Sequence, residues 1–242
     1  MGSENKMNSN MTYINRNITV SYFTLVFSIV FSTALFTNAA ADTSEKTNAK
    51  TSETTETTET TTAMTLTPDL NAGKKTYELC ASCHDNSGWG KKDGSFPVIA
   101  GQHKSVIIKQ LADIRARNRE NPTMYPFTGN DVLGGPQGIE NVAAYIAQLP
   151  ANPDHGKGMG DQLEKGKKLF DEKCAVCHGK QGQGNAENFF PRIQGQHYAY
   201  LLRQLKWIRD GLRKNANPAM LAQIKDMDDK TLGIIADYVS HL

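Results

Sequence analysis

GKKTYELCASCH occupies residues 73–84, and GKKLFDEKCAVCH occupies residues 166–178. The chain has four cysteines in all, and these two stretches use every one of them in a C-x-x-C-H arrangement. The second copy carries one extra residue before its first cysteine. The repetition does not stop there. FPVIAGQH (96–103) is matched by FPRIQGQH (190–197), and NPTM (121–124) by NPAM (217–220). IENVAAYIAQL (139–149) is matched by LGIIADYVSHL (232–242). A repeated order of motifs means two homologous modules in tandem. We place them at 68–150 and 161–242, joined by a Pro/Gly-rich linker over 151–160.

Both modules read as helical. Ile107, Leu111 and Ile114 recur at i, i+4 and i+7, and Leu201, Leu205 and Ile208 repeat that face. The last helix of each module shows the same periodicity, through Ile139, Val142, Ile146 and Leu232, Ile235, Val239. Little alternates with a period of two, so an all-α chain with almost no sheet is expected. The Gly- and Asn-rich loops after each C-x-x-C-H need something to wrap around.

The start of the chain has a different composition. Residues 22–36 form a 15-residue apolar run preceded by Arg16 and followed by a small-residue stretch ending near Ala41. This is the pattern of an export signal over 1–41. The run is short for a membrane span, although a retained segment would tether the protein to a membrane. Residues 42–67 are dominated by Thr with Glu and Ser, have little to bury, and are expected to form a disordered tether. Residues 66–242 carry 23 Lys and Arg against 19 Asp and Glu, a formal charge of +4. No basic stripe with interleaved aromatics appears, which argues against nucleic-acid binding.

Three chemistries compete for C-x-x-C-H. Disulfides would use the thiols but leave the histidine unexplained in both copies. Zinc would want a second pair of ligands, and neither module offers another cysteine. Covalent attachment of haem uses all three residues: two thioethers from Cys80 and Cys83, or Cys174 and Cys177, and an imidazole from His84 or His178 under the iron. We therefore expect two covalently bound haem c groups. For the opposite face of each iron, Met124 and Met220 stand in the repeated N-P-x-M motif, and a methionine opposite histidine suits an electron-transfer haem. His103 and His197, also repeated, are the rival ligands.

With these motifs in hand, the chain resembles the di-haem class I cytochromes c of the cytochrome c4 type over roughly residues 68–242. The resemblance implies two tandem cytochrome c-type helical modules, each wrapped around a covalent haem, with the haem propionates near the module interface. It implies that Pro97 and Pro191 offer backbone carbonyls to His84 and His178. It also implies a helix crossing built on Gly73, Tyr77 and Tyr145, repeated by Gly166, Phe170 and Tyr238. Gln102 and Gln196 would lie near the haem edge or the module interface, and His103 and His197 would be supporting residues. The implied role is a non-enzymatic carrier of electrons in the periplasm. Its partners would be redox proteins such as a terminal oxidase, a quinol-cytochrome c reductase or a periplasmic dehydrogenase. Two alternatives accompany it: an electron-transfer subunit of a sulfur- or nitrogen-oxidising complex, and a di-haem oxidoreductase with a catalytic first haem. The loop after Met124, YPFTGNDVLGGPQG, departs from the family pattern and bears on the last of these.

Overall fold

A computed structural model describes residues 58–242. The apolar run and most of the Thr-rich segment lie outside the described residues. Ten helices follow the C-terminal end of that segment. In the first module they are α1 (Leu70–His84), α2 (Lys104–Arg115), α3 (Tyr125–Thr128), α4 (Asn130–Leu133) and α5 (Gly135–Ala147). In the second they are α6 (Leu163–Lys173), α7 (Ala175–His178), α8 (Tyr198–Arg209), α9 (Pro218–Ile224) and α10 (Asp229–Val239). Among the described residues, β structure is limited to one antiparallel bridge between Asn185 and Phe190.

Each module is built on a crossing of its first and last long helices, α1 on α5 and α6 on α10. Glycine makes the crossing close. A Cβ placed on Gly73 would lie 2.2 Å from the Asn141 carbonyl oxygen, and one on Gly166 would lie 2.5 Å from the Tyr238 Cβ. Both are inside van der Waals contact, so neither site has room for a side chain. One turn further along, the Tyr77 and Tyr145 rings meet at 5.3 Å, and the Phe170 and Tyr238 rings at 5.5 Å, both tilted by about 50°. Helices α2 and α8 cover these crossings with the apolar face legible in the sequence; Ile107 and Ile114 are buried in one module, Leu201 and Ile208 in the other.

The extra residue of the second module has a structural consequence. Helix α1 runs unbroken from Leu70 through both cysteines to His84. Its counterpart stops at Cys174, whose φ of −114° and ψ of −40° separate α6 from the four-residue α7. An added residue in an unbroken helix would rotate everything beyond it by about 100°. The break absorbs that rotation, so Phe170 still reaches Tyr238 while His178 stays buried.

The expectation of a disordered tether up to residue 67 fails at its C-terminal end. Residues 58–65 are helical. Ala63 is fully buried in the core of the first module, beside Tyr77, Ile107 and Ile139. Glu59 pairs with the Arg115 guanidinium. Low hydrophobicity argues for disorder only when a segment stands alone; here one alanine and one carboxylate find complementary sites on a formed module. The 151–160 stretch is likewise held at several points. Gly158 and Gly160 donate to Ser240 Oγ and the Asp237 carboxylate, and Trp89 Nε1 donates to the Pro150 carbonyl.

Candidate haem sites

The first C-x-x-C-H closes α1, while the second begins at the break after α6 and runs through the short α7; each faces a loop that carries the F-P motif. A glycine holds that loop close. The Gly90 N–H donates to the His84 carbonyl and the Gly184 N–H to the His178 carbonyl. Both glycines have positive φ, +66° and +74°. A Cβ at either would lie within 2.4 Å of the phenylalanine carbonyl that precedes the proline. Only glycine meets both demands.

The loop brings Pro97 to His84 and Pro191 to His178. The histidine Nδ1 atoms lie 3.1 Å and 3.0 Å from the two proline carbonyl oxygens. A carbonyl can only accept, so each Nδ1 carries the proton and each Nε2 keeps its lone pair. Burial lowers the proton affinity of both imidazoles below the ordinary histidine value, and the proline hydrogen bonds act against it. Two neutral, oriented imidazoles, each with a free Nε2, are suited to bind a metal that something else delivers.

The four cysteine sulfurs are not paired with one another. Burial raises the Cys80 and Cys174 thiols to about 11. That environment disfavours the thiolates a zinc site requires. Among the described residues, no group of three or more His, Cys, Asp and Glu side chains is placed to hold a metal ion. The donor set fits haem c, in which the porphyrin supplies the other ligands and the thiols become uncharged thioethers.

Met124 is partly buried and caps α3, following the turn closed by its own N–H on the Asn121 carbonyl. Met220 lies in α9 and packs against a core of Ile208, Ile224 and Leu232. Met227 packs into the same core, while Met159 is 86 % exposed. His103 and His197 have other duties. His103 Nε2 lies 2.8 Å from the Gln183 carbonyl, and His197 Nε2 lies 2.8 Å from the Trp89 carbonyl, each reaching into the opposite module. Gln102 and Gln196 are at the interface too, bonded to the backbone of Arg192 and Val98.

One group of residues escaped the sequence reading. Arg119 and Arg213 meet between the modules. Arg119 donates to Gln110 and to the Tyr200 hydroxyl, and Arg213 donates to Gln110, Gln204 and Asn215. Burial, reinforced by the neighbouring Arg119, pulls Arg213 down to about 9. Burial would raise Tyr200, but the guanidiniums outweigh it and pull the phenol below its ordinary value. These hydrogen-bond partners are carboxamides and a phenol rather than carboxylates. The buried Asp113 carboxylate, which accepts from Asn215 at 2.6 Å, offsets part of this charge, and two guanidiniums against one carboxylate leave the site suited to a further acidic group. The signal was present in the sequence: Gln110 and Gln204, and Arg119 and Arg213, stand at the same offset as the F-P motifs.

Comparison with known proteins agrees with this architecture. The family Cytochrome c matches twice, over residues 70–150 and 163–242. Cytochrome c4 of Azotobacter vinelandii is 30 % identical over 191 residues, covering 72 % of this chain and 89 % of that protein. The thiosulfate dehydrogenase electron acceptor of Stutzerimonas stutzeri is 31 % identical, over 67 % of this chain and 78 % of its own. The crystal structure of reduced recombinant cytochrome c4 from Pseudomonas stutzeri superimposes with a TM-score of 0.65 at 28 % identity, over 73 % of this chain and all of that one. A tandem all-α fold, two C-x-x-C-H sites with matching proline carbonyls and these likenesses together place the chain in the cytochrome c family, as a di-haem electron carrier of the cytochrome c4 type with two covalently bound haem c groups.

Proposed function

We propose that Cys80 and Cys83 would hold one haem and Cys174 and Cys177 the other, with His84 and Met124 as the protein ligands of the first iron and His178 and Met220 of the second. The observation that carries this reading is the pair of His–Pro hydrogen bonds, which leave Nε2 free in both modules. Pro97 and Pro191 orient the imidazoles and strengthen them as donors to a metal. Bound haem supplies one-electron chemistry at a potential that a methionine ligand raises. The protein's own work is to exclude water, fix the ligands and present charge. Arg119 and Arg213 fit the acidic propionate edges. With a histidine and a methionine offered to each iron, the chain would serve as a carrier rather than an enzyme.

The route of the electrons is also ours to propose. The apolar run at 22–36 reads as an export signal, and residues 58–242 would then work in the periplasm. Among the described residues no helix is long and apolar enough to cross a membrane. The partners would be redox enzymes: a quinol-cytochrome c reductase or a periplasmic dehydrogenase as donor, a terminal oxidase as acceptor. The likeness to a thiosulfate dehydrogenase electron acceptor favours a second reading, in which the donor is a sulfur-oxidising enzyme.

An optical redox titration of the purified holoprotein, with carbon monoxide added at the reduced end, tests the ligation. Two high-potential waves and no response to carbon monoxide are expected. A response confined to the first haem would mean an open iron there and would point to catalysis beside the Met124 loop.

A further inference from the structure

The peptide group that holds each haem-ligand histidine is itself held by the opposite module. Pro97 and Val98 share one planar peptide unit. Its C=O accepts from His84 Nδ1 at 3.1 Å. Its N–H donates to Gln196 Oε1, in the second module, at 2.9 Å. The mirror relation holds for Pro191 and Arg192. That carbonyl accepts from His178 Nδ1 at 3.0 Å, and the Arg192 N–H donates to Gln102 Oε1, in the first module, at 2.9 Å.

Each carboxamide is fixed at both ends. Gln196 Nε2 donates to the Val98 carbonyl at 2.8 Å, and Gln102 Nε2 donates to the Arg192 carbonyl at 2.8 Å. Each Oε1 also accepts the N–H of the histidine that follows it, at 3.0 Å in both modules. Two backbone donors at the oxygen and one carbonyl at the nitrogen settle which end is which. Gln196 is buried.

Hydrogen bonds in series through one peptide unit polarise one another. An acceptor on the N–H moves electron density toward the C=O, and a more negative carbonyl draws harder on the Nδ1 proton. A stronger Nδ1 hydrogen bond makes the imidazole a better donor at Nε2. We propose that Gln196 is a positioning residue for His84 and Gln102 for His178, so that each haem's iron ligand is tuned from the other module. This rests on the reading of His84 and His178 as iron ligands. It adds that docking of the modules is part of the ligand environment of both haems: if they separated, both carbonyls would lose their polarising partner together.

The experiment uses the reduced, diamagnetic holoprotein with 15N-labelled histidine, comparing wild type with Gln196→Leu and Gln102→Leu. The readouts are the two ring-current-shifted Nδ1–H signals and the two redox waves. Gln196→Leu should move the His84 signal upfield and raise the potential of the first haem, with the His178 signal in place. Gln102→Leu should do the reverse. Should either leucine variant fail to fold, Gln196→Glu and Gln102→Glu decide, because a carboxylate keeps an acceptor for the same N–H; each should move the opposite module's signal downfield. Shifts in the variant's own module alone, equal shifts in both, or none would overturn the proposal. Failure of the ligand reading is distinguishable, since it appears in wild type as imidazole signals free of any haem ring current.

Discussion

His197 joins the two modules through the backbone of Trp89. It is almost fully buried. Its Nδ1 accepts the Gly156 N–H at 2.9 Å, so its Nε2 carries the proton that goes to the Trp89 carbonyl at 2.8 Å. One neutral imidazole thus binds the linker with one nitrogen and the first module with the other. Protonation would put a donor against the Gly156 N–H.

A pH dependence follows. Burial holds His197 below the ordinary histidine value of 6.5, with the Trp89 carbonyl opposing it. Below 6.5 the unfolded chain takes up a proton that the folded protein resists, so stability falls with acidity. The contribution of this residue is complete above 6.5 and is lost as the pH drops through the depressed folded value. Urea midpoints at pH 7.5 and 5.5 should differ more for wild type than for His197→Gln. Equal differences would remove His197 from the acid response.

The helix crossings tolerate no side chain. Gly73→Ala and Gly166→Ala each force a methyl into contact with the opposing helix at 2.2 Å and 2.5 Å. Each should cost about 2–4 kcal/mol, read as a lowered denaturation midpoint of the affected module. Gly134→Ala is the control. That residue has a φ of +65° but nothing within 4 Å of a new Cβ, so only the left-handed strain of about 1–2 kcal/mol applies.

The helix at 58–65 should stabilise the first module alone. Arg115 bridges it to the Met124 loop: one guanidinium nitrogen meets Glu59, and Nε donates to the Thr128 carbonyl at 2.5 Å. Glu59→Gln should cost about 1–3 kcal/mol by leaving the half-buried cation without its carboxylate, and Ala63→Arg about as much or more by overpacking. In calorimetry the transition of the first module should move down while that of the second stays in place. Movement of both, or of neither, would show that the helix is not part of the first module.

Buried positive charge between the modules should favour the reduced state of the haems. Replacing Arg213 by Met removes one cation together with its hydrogen bonds to Gln110, Gln204 and Asn215. The potentials should fall, and the fall should be smaller for Arg213→Lys, which keeps the charge but loses the planar fork. Unchanged potentials in the methionine variant would place the arginines outside the electrostatic reach of the haems.

Much of this was legible in the residues. The repeat fixed the number of modules, the apolar periodicity gave helices α2, α5, α8 and α10, and the C-x-x-C-H pairs named the cofactor. The glycine-and-aromatic crossings are implied by the family resemblance, and the spacing agrees, since a glycine and a ring four residues apart share a helix face. The helix at 58–65 is not legible in this way. Its Thr-rich composition cannot hold a helix alone, and its order depends on Arg115 and on the pocket that takes Ala63, more than 50 and about 14 residues away or further along the chain.

What each module is can be read residue by residue, because haem attachment, helix periodicity and the glycine crossings are local patterns, and local patterns survive in a single copy. How the copies use one another is set by their packing. Gln102 and Gln196 lie in identical G-Q-H motifs, and nothing local says that each reaches the peptide behind the other module's C-x-x-C-H histidine. Arg119 and Arg213 stand at matching positions of the repeat, and nothing local says that they share the carboxamide of Gln110. These contacts exist because two similar surfaces face each other, and the pairing of surfaces is a property of the packed molecule, where residues about 90–100 positions apart come within a hydrogen bond.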